Sequence, residues 1–133
     1  MSVRTRFVRL AEEVPEGATL RYTARLTDER NLPLSSQAMM TMTLTLYDLS
    51  GSAQTILNEV DGIDILNTGR GTLDTQGVLV VTLSPEDNPI VDDRRKRERH
   101  LMLFEWTFDG GNKTGRHEVE FVVRNLALVG EEP

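Results

Sequence analysis

The chain has no cysteine. A disulfide frame, a thiolate nucleophile and a thiolate metal site are therefore excluded, and the fold must rest on packing and strand pairing, as suits a reducing compartment. Long apolar runs are also missing. None approaches the roughly 20 residues that a membrane-spanning helix needs, so no membrane partner is expected. Positive charge is in short supply. The 15 Lys and Arg residues stand against 21 Asp and Glu, a formal net charge of −6, which opposes the broad basic surface that nucleic-acid backbones require. Nucleic acid is not an expected partner. Aromatics make up only 5% of the chain, too few to line an obvious sugar-stacking platform. The basic start, Met1 to Phe7, is followed by no apolar segment and no small-residue cleavage site, so no secretory signal is expected.

What is present is a period of two. In Leu20-Arg21-Tyr22-Thr23-Ala24-Arg25-Leu26 the apolar residues alternate, the pattern of a half-buried strand. Met40-Thr41-Met42-Thr43-Leu44-Thr45-Leu46-Tyr47 alternates apolar residues with β-branched threonine and is the clearest strand of the chain. Val78 to Leu83 is β-branched enough to read as strand, with Thr72-Leu73 as a short partner and Gln54 to Leu57 as another short run. Ser84-Pro85-Glu86-Asp87-Asn88-Pro89 predicts one helical turn, capped by Ser84, opened by Pro85 and ended by Pro89, where the chain crosses between sheets. Leu101 to Phe108 and Glu118 to Val123 flank the glycine-rich stretch Asp109 to Gly115, predicting a hairpin with a long loop. With Arg6 to Leu10 counted, the chain predicts an all-β, immunoglobulin-like antiparallel β-sandwich of roughly seven to eight strands. Residues 1–133 form one domain on this reading, with a core from about residue 5 to 128 and flexible ends. Trp106 is the expected central core anchor.

Chemistry-bearing patterns are sparse. His100 and His117 are the only histidines, each near the start of an expected strand. A metal held by them with Asp109 or Glu118 would still lack the compact set of three or four ligands that zinc takes, so they read as surface or sheet-edge residues. Asp61-Gly62-Ile63-Asp64 with Asn67 is oxygen-rich but reads as a turn, because calcium needs 6 to 8 oxygen ligands. Ser50, Ser52 and Ser84 have no His and Asp arrangement beside them, and no P-loop, nucleotide or nucleophile-elbow fingerprint occurs. Glu118 and Glu120 read as the wet face of one strand. No catalytic site, cofactor or metal is expected, and the chain is read as a non-enzyme. The most unusual stretch is Asp92 to Arg99, which holds five basic residues in an acidic chain. It reads either as a solvated loop or as a docking surface. The expected partner-binding residues are Arg94, Arg95, Lys96, Arg97 and Arg99 in that stretch, with Asn112 and Lys113 at the hairpin tip.

Three segments carry a family resemblance: Thr43 to Asp48; Gly71 to Gly77 leading into Leu83 to Ile90; and Leu103 to Phe108 with Gly115 to Glu118. From Leu44 to Leu126 the chain resembles small immunoglobulin-like proteins encoded among the virion genes of tailed bacteriophages and prophages. The resemblance implies a virion structural protein, a capsid decoration or a head-to-tail or tail accessory. Such a protein is made in the host cytoplasm and works in the particle by binding capsid or tail subunits, or further copies of itself. No active site carries over. The rival expectation is a carbohydrate-binding or adhesion module of a bacterial surface protein, with Tyr47 or Trp106 on the glycan.

Overall fold

The computed structural model describes residues 5–51, 53–66 and 69–129. It is an all-β sandwich of two sheets. Ten strands run in chain order: β1 (Thr5–Arg9), β2 (Val14–Pro15), β3 (Leu20–Arg25), β4 (Met39–Asp48), β5 (Thr55–Ile56), β6 (Ile63–Asp64), β7 (Gly71–Leu73), β8 (Val78–Leu83), β9 (Arg97–Phe108) and β10 (Lys113–Arg124). A short helix, α1 (Leu126–Val129), follows. The larger sheet has the order β1-β10-β9-β4-β5, with β2 also on β10 and β6 also on β4; the smaller has the order β3-β8-β7.

The alternation read from the sequence is the alternation of the core. In β4, Met42, Leu44 and Leu46 point inward, and in β9 Met102, Phe104, Trp106 and Phe108 do so. They meet Tyr22, Leu79, Val81 and Leu83 of the smaller sheet in one buried cluster. Burying a side chain of this size stabilises the fold by about 1.5 to 3 kcal/mol. Trp106 is buried as expected, at 6% exposure, although Phe104 and Phe121 lie deeper.

The turn at Pro85–Asp87 forms as expected, and it carries the chain from the smaller sheet to the larger. Asp87, fully buried, holds it there. Its carboxylate accepts from the Ser84 N–H at 2.8 Å, from Asn58 Nδ2 at 2.8 Å and from the Arg70 guanidinium.

Three expectations are corrected. The sheets are not purely antiparallel, because β1 and β2 both run parallel to β10. These partners lie far apart in sequence, so no tight turn dictates their direction. The hairpin loop is short, since Phe108 already pairs with Lys113 and only residues 109–112 turn. Gly115 belongs to β10, where it sits opposite Trp106. Finally, β9 starts at Arg97, so the second half of the charged run is strand and not loop. Glu98 and His100 have the same parity as Trp106 and therefore face inward.

Candidate functional site

The inward-facing end of β9 builds a buried ionic cluster. Glu98 and His100 from β9 meet Asp48 at the end of β4, which pairs with His100 in the sheet register, and all three are at most 1% exposed. Arg95, from the loop before β9, reaches in from the surface. Its Nη1 lies 3.1 Å from Glu98 Oε2 and 3.3 Å from Asp48 Oδ2. His100 Nε2 is 3.1 Å from Glu98 Oε1 and 4.0 Å from Asp48 Oδ1.

Asp48, Glu98 and His100 are a geometric set of metal-ligand types, with atoms within 4.8 Å of one another. The two carboxylates, however, are already engaged. Glu98 also accepts the N–H groups of Val91 and Asp92, each at 2.8 Å, and Asp48 accepts that of Ser50 at 3.0 Å. The Arg95 guanidinium bridges the two carboxylates, which is the task a bound cation would perform. Chemically the cluster is a compensated ion network that grips a loop.

That loop is the basic one. From the other side Asn125, 2% exposed, donates through Nδ2 to the carbonyls of Asp93 and Arg95, both at 3.0 Å, and its N–H donates to Lys96. Asn125 Oδ1 also accepts from the Ala127 N–H at the start of α1. Residues 91–96 are thus pinned by Glu98 beneath and Asn125 beside them. The stretch reads as a solvated loop or a docking surface; its backbone is held by buried side chains.

Burial dominates the titration of His100, pushing its pKa below the usual 6.5 although Glu98 and Asp48 pull it upward. For Glu98 burial also opposes ionisation, but the Val91 and Asp92 N–H groups and His100 outweigh it and hold the pKa low. A histidine kept neutral in the folded state takes up its proton only on unfolding. Stability from His100 is therefore full above pH 6.5 and is lost as pH falls below that value. Urea midpoints measured from about pH 8 to pH 5 should fall for the wild type, with a slope from this group of up to about 1.4 kcal/mol per pH unit. The His100→Gln profile should lack that component, and parallel profiles would refute it.

The second histidine is buried too, at 3% exposure. His117 Nε2 is 2.7 Å from the Tyr22 hydroxyl, and both rings stack with Phe104, with centroids 6.1 and 6.3 Å away. Neither histidine is a surface or edge residue, which corrects the sequence reading. They do not come together: His117 pairs with Phe104 and His100 with Phe121. Asp109 stands at the hairpin tip, and Glu118 is on the outer face, so neither accompanies a histidine.

The expected contact residues divide. Arg94 is 86% exposed in its side chain and bonds Asp92, whose carboxyl these contacts hold at about 2. Arg97 and Arg99 are exposed on β9, 2.8 Å from Glu13 and 3.5 Å from Glu120, and Lys96 is exposed. Arg95 turns inward to the cluster. Asn112 is exposed at the tip, whereas Lys113 is half-buried, 2.6 Å from Glu29 and over the Phe108 ring. The two groups lie at opposite ends of β9, about 36 Å apart for a strand of its length, and so do not share one end of the sandwich. Glu120 is not simply wet: Arg9 and Arg99 cover it to 5% exposure. In the acidic loop Asp64 accepts from the Leu66 N–H and Gly62 donates to Thr45, which is turn chemistry; Asn67 and Ser52 lie outside the described residues.

The buried cluster was missed because its members are far apart in sequence. One signal was present: Glu98 and His100 continue the alternation of Met102, Phe104 and Trp106 backward through the charged run. No protein-family model matches the chain, and no curated protein and no solved structure matches it.

Proposed function

We propose that the chain is a non-enzymatic structural protein of a bacteriophage particle, a decoration or head-to-tail or tail accessory, that binds neighbouring subunits through loops at the ends of its sandwich. The observation that carries this reading is the pinned loop. Four buried polar side chains, Asp48, Glu98, His100 and Asn125, are committed around one exposed segment, residues 91–96. Fixing a surface loop in advance lowers the ordering cost of binding, and the groups left outward, Arg94, Lys96, Arg97 and Arg99, favour an acidic neighbour. The two-sheet sandwich adds support, since β3-β8-β7 facing β10-β9-β4 is compatible with the immunoglobulin-like architecture that the resemblance implies. The glycan-binding alternative is weaker, because Trp106 is buried against Gly115.

The test is made on particles released by the phage or lysogen that carries the gene. Mass spectrometry should find the chain in fixed ratio to the capsid or tail subunits. A triple variant, Arg94→Ser, Arg97→Ser and Arg99→Ser with Arg95 kept, should fold normally and be lost from particles. Recovery of the wild type only outside the particle fraction would overturn the assignment; particles that retain the triple variant would remove the loop from it.

A further inference from the structure

We infer that the free edge of β3 is a docking site for an extended acidic protein segment, which adds a fourth strand to the smaller sheet. The inference rests on the reading of the chain as a binding module, not on its place in a virion. Within the smaller sheet β3 pairs with β8 on one side, and no described strand pairs with its other side.

The backbone direction follows from two hydrogen bonds. The Thr82 N–H donates to the Arg70 carbonyl at 2.9 Å, and the Asp74 N–H donates to the Val78 carbonyl at 3.1 Å. Thr82, Val80 and Val78 therefore turn their polar groups toward β7. Their register partners on β3 are Arg21, Thr23 and Arg25, and in an antiparallel pair such partners turn away from each other. The N–H and C=O groups of these three residues thus face outward from the open edge, with the array an added strand requires.

The side chains state which strand. Arg21, Thr23 and Arg25 are all exposed. Every other arginine whose side chain is described makes an ion pair, whereas Arg21 and Arg25 make none among the described residues. Two unpaired cations, four residues apart on one face of an open edge, stand out in a chain of net charge −6. A second copy of β3 fits poorly. Antiparallel pairing about Thr23 would set Arg21 opposite Arg25 twice, and like charges directly opposite oppose pairing. The fitting guest carries acidic residues opposite Arg21 and Arg25, a small polar residue opposite Thr23, and apolar residues between them. Those apolar residues would lie opposite Tyr22 and Ala24, on the inward face of the strand.

The probe is an acetylated, fluorescein-labelled peptide, Thr-Glu-Val-Thr-Val-Glu-Thr, compared with its Lys-for-Glu counterpart by fluorescence polarisation on the full chain. The acidic peptide should bind the wild type about tenfold or more tightly than the lysine peptide. The Arg21→Glu, Arg25→Glu double variant should reverse that preference. Thr23→Pro removes an outward N–H that β8 does not use, so it should abolish binding while circular dichroism stays unchanged. Equal binding of the two peptides, acidic-peptide binding that survives the double charge reversal, or no binding by the folded wild type would overturn the site. A wild-type dimer in light scattering that Thr23→Pro dissolves would also overturn it, in favour of self-pairing. Peptide binding and particle incorporation are separate readouts, so either reading can fail alone.

Discussion

Gly115→Ala is expected to destabilise the fold by about 3 kcal/mol, although it adds a single methyl group. Gly115 lies opposite Trp106 in the β9–β10 ladder, and the indole lies across it. A Cβ built there would stand 2.5 Å from Cε2 and 2.6 Å from Cζ2 of Trp106. The demand is for space, since no unusual backbone angle is involved. Trp106 is itself buried in the core cluster, so the ring cannot retreat without displacing neighbours packed at crystal-like density. Urea unfolding of Gly115→Ala, Trp106→Leu and the double variant checks this directly. The two changes should be strongly non-additive, because the smaller side chain leaves room for the methyl group. A Gly115→Ala protein within about 0.5 kcal/mol of wild type, the usual range of an inconsequential substitution, would contradict the packing argument.

Glu98→Ala is expected to cost about 3 to 5 kcal/mol, the range seen when one partner of a buried ionic network is removed. The loss would leave the Val91 and Asp92 N–H groups without their acceptor and Arg95 with less compensation for its half-buried charge. The damage should be local before it is global. Trypsin should cleave after Arg94, Arg95 and Lys96 faster than in wild type, because Glu98 pins the backbone of this segment. Arg94→Ala, by contrast, removes an exposed side chain and should leave the urea midpoint unchanged. Matched cleavage rates in wild type and Glu98→Ala would show that Asn125 alone fixes the loop, and the proposal of a preorganised contact surface would lose half of its support.

Strand identity was legible because it is a local property. Met40 to Tyr47 and Val78 to Leu83 declare themselves through alternation and β-branching, and they occur within a residue or two of the read bounds. The turn at Pro85 was legible for the same reason, since Ser84, Pro85 and Asp87 act on one another across three residues. The charged run misled because composition was weighed above parity. Arg97 and Arg99 point outward while Glu98 and His100 point inward, so a stretch that is wholly polar alternates between solvent and core. Gly115 misled in a similar way: a glycine beside other glycines reads as turn, yet this one is in a strand to make room for a ring on its neighbour.

By itself the sequence determined an all-β chain, most of its inward-facing apolar residues and the acidic balance of the chain, because period, branching and charge act between near neighbours. Only the tertiary structure decided that Asp48 and Arg95 would meet Glu98 and His100 in a buried network. It also decided that Tyr22 would reach His117, and that β1 would pair with β10 and leave the β3 edge open. These outcomes depend on which distant segments share a sheet, and pairing over such separations is settled by competition among whole strands for a common core, which no local pattern records.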